Sequence, residues 1–525
     1  MSIKKTASAT ANYTAHRSDR RNATWSLSKL PLFVAGVASL IAGVLLPLAF
    51  APYNLWLIAF ISPALLYLLL NQRSPAQAFL LGEAYGFGLW AVGGFWLYTS
   101  IHEYGDTSAP IALLMIAGVA LVMGLFNAIG AWFYRRFLPE SPLTFAPLWI
   151  VIEWVKTWLF TGFPWLFVGY ALISHGLDGY APVAGVFAVS AVVVLIGCAF
   201  AELLRRRWFW LVPIIILIAV GIGLNQIRWT KPKASPVLSV SLIQGNIPQD
   251  LKWLTEYREK TLQIYAHLSK SEWGRDLIVW PESAIPMFQN EPEAAPFIEE
   301  MHEIALAHHS AWVMGIPYLD LSNQTSTSTI DPPFYNAIGG LGDHGSGLYK
   351  KQRLVPFGEY IPFAGTLDWI LPSLSKTGSF TAGPAGQAPL HVKGHALAAA
   401  ICYEVAYPNL TRLNAQDSDF LVTLSNDAWF GTSAGPLQHL QMVQMRSKET
   451  GRWFIRATNT GVSAFINDQG EIVKRTPQFK TAVLRGNLPA MTGETPYMRW
   501  GDLPILLISA LLMLIGLWAK LRYQR

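Results

Sequence analysis

The sequence predicts a molecule in two parts: a multi-pass α-helical membrane domain of about eight spans, and an α/β domain outside the membrane. Three observations carry this. Of 525 residues, 52% are hydrophobic and only 14% are charged, whereas soluble domains carry about a quarter charged residues. The apolar residues gather in runs long enough to cross a bilayer. Between the last two runs lies a block of mixed polarity, 230–495, with strand and turn patterning.

The elements follow in order. A polar segment, 1–30, precedes apolar runs at 31–50, 54–70, 77–99, 110–134, 143–160, 182–203 and 208–225. These make a membrane domain over 31–229. The first two runs are joined at Pro52-Tyr53-Asn54 and alternatively form a re-entrant pair. An eighth run, 503–519, lies in a final span and tail, 496–525. The N-terminus lacks the short apolar stretch and small-residue site of a cleavable signal, so the first run reads as a retained anchor.

Charge orients the set. Lys4, Lys5, Arg17, Arg20, Arg21 and Lys29 fall on one side, with Arg73, Arg135, Arg136, Arg205, Arg206 and Arg207, and finally Lys520, Arg522 and Arg525. The loops near 51–54, 100–109 and 161–181 hold no Lys or Arg. The positive side is cytoplasmic, which puts both termini inside and the 230–495 block outside, in the periplasm of a bacterium. Cytosolic nucleotides are then excluded as substrates. The net charge of +6 is explained by topology and does not point to nucleic acid. An external enzyme held by so many helices is expected to act on lipid or lipid-anchored substrates at the bilayer.

Glu83, Glu153 and Lys156 are ionisable residues within the spans. Glu153 and Lys156 are spaced i, i+3 and are expected to pair, with a headgroup role as the alternative. In Thr161-Gly162-Phe163-Pro164-Trp165, the Trp reads on composition as an interfacial anchor. Cys198 sits in an apolar run and reads as a small buried helix residue. A disulfide to Cys402 is not expected, because membrane depth separates the two.

In the external block, strands are predicted at 237–243, 276–280, 311–316, 335–340, 346–351, 396–402, 419–424 and 462–467. Helices are predicted at 255–271, 296–308 and 437–450. There is no Walker or paired-Cys metal motif, and His308-His309 is not expected to hold a metal. Glu282, Lys351 and Cys402 each stand at a strand end, where ligand sites of α/β sheets gather. Singly, each has an ordinary structural reading. Together they fit acyl transfer: a thiol needs a base or a nearby cation to react. Glu282 is placed to take its proton, and Lys351 to stabilise the thiolate and then an oxyanion. Glu359 and Glu404 are candidates to hold this set in place.

At these residues the sequence resembles the nitrilase, or carbon-nitrogen hydrolase, superfamily. Trp280-Pro281-Glu282-Ser283, Tyr349-Lys350-Lys351-Gln352-Arg353 and Ile401-Cys402-Tyr403-Glu404 are similar to its Glu, Lys and Cys motifs. The spacing to Arg353-Leu354-Val355-Pro356 selects Lys351 over Lys350. Gln244-Gly245-Asn246-Ile247-Pro248-Gln249, Leu354 to Pro362, Ser425-Asn426-Asp427-Ala428-Trp429-Phe430 and Gly162-Phe163-Pro164-Trp165 resemble segments of its membrane branch, the apolipoprotein N-acyltransferase family. The resemblance implies an α-β-β-α sandwich in the inner membrane's periplasmic domain, no metal and no cofactor. It implies transfer of an sn-1 acyl chain from a membrane phospholipid, typically phosphatidylethanolamine, to diacylglyceryl-modified apolipoproteins. Glu282 would be the base, Lys351 the oxyanion stabiliser and Cys402 the nucleophile. Glu359, Glu404 and Glu449 would support them. Trp253, Tyr403, Trp429, Gly162, Pro164 and Trp165 would contact substrate. A membrane-tethered amidase is the alternative; one anchor helix would have served it.

Overall fold

The computed structural model describes residues 27–322, 332–362 and 379–523. The basic residues Lys4, Lys5, Arg17, Arg20, Arg21 and Arg525 lie outside that set.

Every predicted apolar run contains a helix. Five segments are long and apolar enough to cross a membrane: Leu32–Ala49, Ala109–Phe137, Leu177–Leu204, Trp208–Asn225 and Leu503–Arg522. The other three runs give shorter or more polar helices. Ile58–Leu70 has 13 residues and Pro142–Val155 has 14. At about 1.5 Å per residue, each falls short of a hydrocarbon core about 30 Å thick. Pro75–Gly93 is longer but is diluted by Gly82, Gly86, Gly88, Glu83 and Gln77. Those small residues set its packing. A Cβ on Gly86 would lie 2.5 Å from the Cα of Gly124 on Ala109–Phe137, so the two backbones meet almost directly.

Glu153 and Lys156 make no direct salt bridge, although each charge still acts on the other. Glu153 Oε1 accepts from Trp149 Nε1 and from the Val168 backbone N–H, both at 2.9 Å. Lys156 is the residue that ends the helix, and its ammonium lies over the rings of Trp90 and Phe167. Lys156 keeps helical backbone geometry, but the Glu153 carboxylate is engaged by Trp149 on the same helix and by Val168 on the returning chain.

The block after the seventh apolar run folds into two six-stranded sheets. In spatial order the first is Ala482–Leu488, Leu238–Gln244, Leu277–Val279, Ala311–Leu319, Phe334–Gly342 and Leu348–Lys350. The second is Ile472–Arg475, Ala464–Ile466, Phe454–Thr458, Phe420–Ser425, His395–Ile401 and Leu390–Val392. Parallel pairing in the middle of each gives way to antiparallel pairing at the edges. Period-two alternation divides each strand between two cores. Leu397, Ala399 and Ile401 face Val240, Leu242 and Val279 of the other sheet. Ala398 and Ala400 point the opposite way. The outer face of the first sheet packs on Thr255–Ser269 and Ala294–Ala307 through Tyr265, Trp280 and Trp312. The outer face of the second packs on Gly435–Thr450, and its core runs on into the membrane helices. The result is an α-β-β-α sandwich laid on a helical bundle.

The predicted strands and helices are present with small shifts in their ends. Strand Phe454–Thr458 was not predicted; it lies between the helix ending at Thr450 and the strand placed at 462–467. Leu390–Val392, Ile472–Arg475 and Ala482–Leu488 were likewise missed. Three of these four lie at sheet edges, where the apolar signal is weakest.

Candidate active site

Glu282 sits just beyond strand Leu277–Val279. The strand direction continues through Trp280, whose N–H donates to Val313 O at 2.8 Å. The chain then passes so close to Gly315 that a Cβ there would stand 2.6 Å from Glu282 Cα. Both carboxylate oxygens are engaged. Oε1 accepts from Asn336 Nδ2 at 2.8 Å, and Oε2 accepts from the Asn426 backbone N–H at 2.7 Å. The second contact comes from the opposite sheet, so the carboxylate spans the seam of the sandwich.

Lys351 follows strand Leu348–Lys350, with its backbone N–H held by Asn336 O. Its ammonium is 2.8 Å from Glu359 Oε1 and 3.6 Å from Glu282 Oε1. The two residues are 1% and 7% exposed, so neither is a solvated rim residue. Burial alone would pull the Lys351 pKa down, but Glu359 and Glu282 hold it well above the ordinary lysine value. Asn336 Nδ2 donates to Glu359 as well as to Glu282, and Glu359 Oε2 accepts from the Val355 N–H. The neighbouring Lys350 is engaged elsewhere, with Asp320 at 2.6 Å and the ring of Tyr335.

Cys402 is the first residue of the turn Cys402–Ala406, directly after strand His395–Ile401. Its φ of +49° lies in the left-handed region, uncommon for a residue with a side chain. Burial and the charge of Glu282 push its thiol up to about 12, against the pull of Lys351. The thiol is therefore protonated at neutral pH and needs a base at the moment of attack. Glu404 ties the Cys strand to the Lys segment. Its carboxylate accepts from the backbone N–H groups of Ile401 and Gln352, each at 2.6 Å, and from Tyr349 Oη. Burial nevertheless raises its pKa to about 7.

The remaining predicted residues fall in two places. Trp253 and Trp429 are 43% and 41% exposed. Tyr403, Gly162, Pro164 and Trp165 are buried under the Cys402 turn. Tyr403 and Tyr407 hydroxyls donate to Gly162 O, and Trp165 Nε1 donates to Gln438 Oε1 at 2.7 Å. Trp165 is thus a packed residue between domains, not the interfacial anchor its composition suggests. Glu449 stands apart from this set. Its Oε1 accepts from the Val186 N–H and its Oε2 pairs with Arg446 at 3.1 Å. It fills the break at Ala184 and Gly185 in the helix Ala181–Leu204.

Sequence reasoning missed three contributors. Asn336 bridges two carboxylates. Lys252 is buried beside the predicted Trp253; its ammonium donates to Glu282 O at 2.9 Å, and burial brings it down to about 8. His439 donates to Cys402 O. All three act on backbone or side chains far away in sequence, and only Lys252 had a signal, its place next to Trp253. Among the described residues no cluster of His, Cys, Asp and Glu could hold a metal ion.

Residues 42–199 match the model for the apolipoprotein N-acyltransferase N-terminal domain, and 239–497 match that for carbon-nitrogen hydrolase. The apolipoprotein N-acyltransferase of Azotobacter vinelandii is 42% identical over 506 residues, which cover 94% of this chain and 96% of that protein. The chain belongs to the apolipoprotein N-acyltransferase family. Proteins of the same name from Vibrio vulnificus and Pseudomonas putida are 38% and 40% identical. These alignments cover 93% and 92% of this chain, and 97% and 96% of those relatives. Membership of this family joins the helical bundle and the sandwich in one enzyme, as the packing of the second sheet on the bundle also does.

Proposed function

We propose that this protein transfers a fatty acyl chain from the sn-1 position of a membrane phospholipid, typically phosphatidylethanolamine, to the α-amino group of the N-terminal diacylglyceryl-cysteine of apolipoproteins. This is the last step of bacterial lipoprotein maturation. The observation that carries the reading is the grouping of buried Glu282 and Lys351 with half-buried Cys402 across the seam of the two sheets, in a chain of this family.

The reaction runs in two halves. Glu282 takes the Cys402 proton as sulfur attacks the sn-1 carbonyl carbon. Lys351 faces the oxyanion of the tetrahedral intermediate. The bond to the glycerol oxygen breaks, Glu282 returns the proton to that oxygen, and a lysophospholipid leaves. Cys402 then holds a thioester. The neutral α-amino group attacks it, Glu282 takes the amine proton, the C–S bond breaks, and the proton passes to the departing sulfur. The thioester stores the acyl group between two lipid substrates that need not bind together. Glu359 and Glu404 hold Lys351 and the Cys402 strand, and Glu449 supports the domain where it meets the bundle. Trp253 and Trp429 supply exposed aromatic surface for acyl chains; Tyr403, Gly162, Pro164 and Trp165 form the floor below.

The molecule sits in the bacterial inner membrane through 31–229 and 496–525. The three shorter or more polar helices complete about eight spans. Residues 230–495 face the periplasm, and both termini are cytoplasmic. The charge asymmetry of the loops supports this orientation.

The test is intact-mass analysis of the purified protein after incubation with phosphatidylethanolamine. One acyl chain is expected on wild type, released by neutral hydroxylamine and absent from Cys402→Ala. Lipid left intact with no adduct on wild type would overturn the mechanism.

A further inference from the structure

The Cys402 turn is held from below by a side chain that the reaction itself does not require. His439, on Gly435–Thr450, brings Nε2 to 2.8 Å from the Cys402 carbonyl oxygen. Its Nδ1 is 3.1 Å from Arg456 Nη2. These two contacts determine the tautomer. A carbonyl oxygen can only accept, so Nε2 carries the hydrogen. A guanidinium can only donate, so Nδ1 presents its lone pair. The ring is therefore neutral, and burial together with the charge of Arg456 pushes its pKa down. Asp427 holds the cation in turn: Arg456 Nη2 lies 2.6 Å from Asp427 Oδ2, and Ser425 Oγ donates to Oδ1. His439 Nδ1 is 3.6 Å from Asp427 Oδ1, too far for a hydrogen bond. Trp165, from the membrane loop, stacks on the imidazole with ring centres 6.0 Å apart.

Trp165, Ser425, Asp427, His439 and Arg456 are all buried, and Cys402 is half-buried. Such an arrangement is what a left-handed Cys402 needs. A residue held in that region persists only where its surroundings over-determine it, and the peptide carbonyl that follows the nucleophile is the group whose rotation would let the turn relax.

We propose that His439 is a positioning residue for the nucleophile: its Nε2–H fixes the Cys402 carbonyl, and thereby the turn that aims the thiol, while Arg456 and Asp427 hold the ring in the one tautomer able to do so. The inference rests on Cys402 as the nucleophile. It gives Trp165 a part as well, as the contact through which the membrane loop braces the clamp.

The experiment compares full-length wild type, His439→Ala and His439→Gln. Glutamine is chosen because its amide N–H stands the same number of bonds from Cβ as Nε2–H. Three quantities are measured: the single-turnover rate of Cys402 acylation by phosphatidylethanolamine, the alkylation rate of Cys402 by a small neutral reagent, and the thermal midpoint. His439→Ala is expected to acylate on the order of 10 to 100 times more slowly. It should also alkylate faster, because a released thiol leaves its buried site. His439→Gln should recover most of the wild-type behaviour in both assays, at a similar thermal midpoint. A wild-type acylation rate in His439→Ala would overturn the proposal, as would equal slowing in both folded variants. If alanine prevents folding, His439→Leu fills the volume without a donor and takes its place under the same criteria. Should wild type itself form no acyl adduct, the proposed reaction fails, and the alkylation rates still decide whether His439 holds the turn.

Discussion

The two sheets of the sandwich bury their outer faces in different ways. The sheet carrying Glu282 closes on helices of its own domain around Tyr265, Trp280 and Trp312. The sheet carrying Cys402 closes on Gly435–Thr450, which continues into the membrane bundle as one core. Glu282 and Lys351 thus belong to a half closed by helices of its own domain, and Cys402 to a half built onto the helical bundle. Asn426 and Glu404 cross between them: one gives its N–H to Glu282, the other takes the N–H groups of Gln352 and Arg353.

The largest effect tests whether the two halves act as one site. Glu282→Gln keeps the shape but removes the proton acceptor, and acyl-enzyme formation is expected to fall on the order of 100- to 10,000-fold. A single-turnover rate within a few-fold of wild type would separate the halves and move the base elsewhere.

The next tests the membrane side. Arg446 and Glu449 are both 0% exposed. Glu449→Ala leaves the guanidinium buried without its carboxylate and the Val186 N–H without its acceptor. A loss of about 3–5 kcal/mol is expected, read as a lower thermal midpoint in detergent. An unchanged midpoint would show that the two domains do not depend on this joint.

A subtler comparison concerns the thiol. Because burial and Glu282 lift Cys402 to about 12, its thiolate fraction keeps growing with pH over the whole accessible range. The alkylation rate of resting enzyme should therefore climb from pH 7 to 10 without levelling. A free thiol levels just above about pH 8.5, and a plateau there would place Cys402 in water instead of in the seam.

The smallest effect is expected at the surface pair Arg499–Glu494, 67% and 51% exposed. Glu494→Ala should change stability by no more than about 1 kcal/mol. Set beside Glu449→Ala in the same melting experiment, it isolates the contribution of burial.

Much of this was legible in the chain. Lipid-facing surface requires apolar side chains in long runs, so composition separated the membrane part from the sandwich. Short apolar runs located most of the interior strands, since both faces of each are buried. Glu282, Lys351 and Cys402 were legible because each lies in a short motif at a strand end. Strand Phe454–Thr458 was hidden by its buried Arg456, which reads as surface until its partner Asp427 is known. The pairing of Glu153 and Lys156 was suggested by spacing alone and lost to Val168 and Trp149.

The sequence by itself determined the division into membrane and α/β parts, the position of eight strands, and the residue types of the candidate site, because these depend on local patterns of polarity and residue type. Tertiary structure alone decided that Asn336 joins two carboxylates, that Trp165 is packed and not anchored, and that His439 meets the Cys402 carbonyl. Each of these is a contact between residues far apart in the chain, and no local pattern encodes which distant donor will meet which acceptor once the two sheets and the bundle have closed on one another.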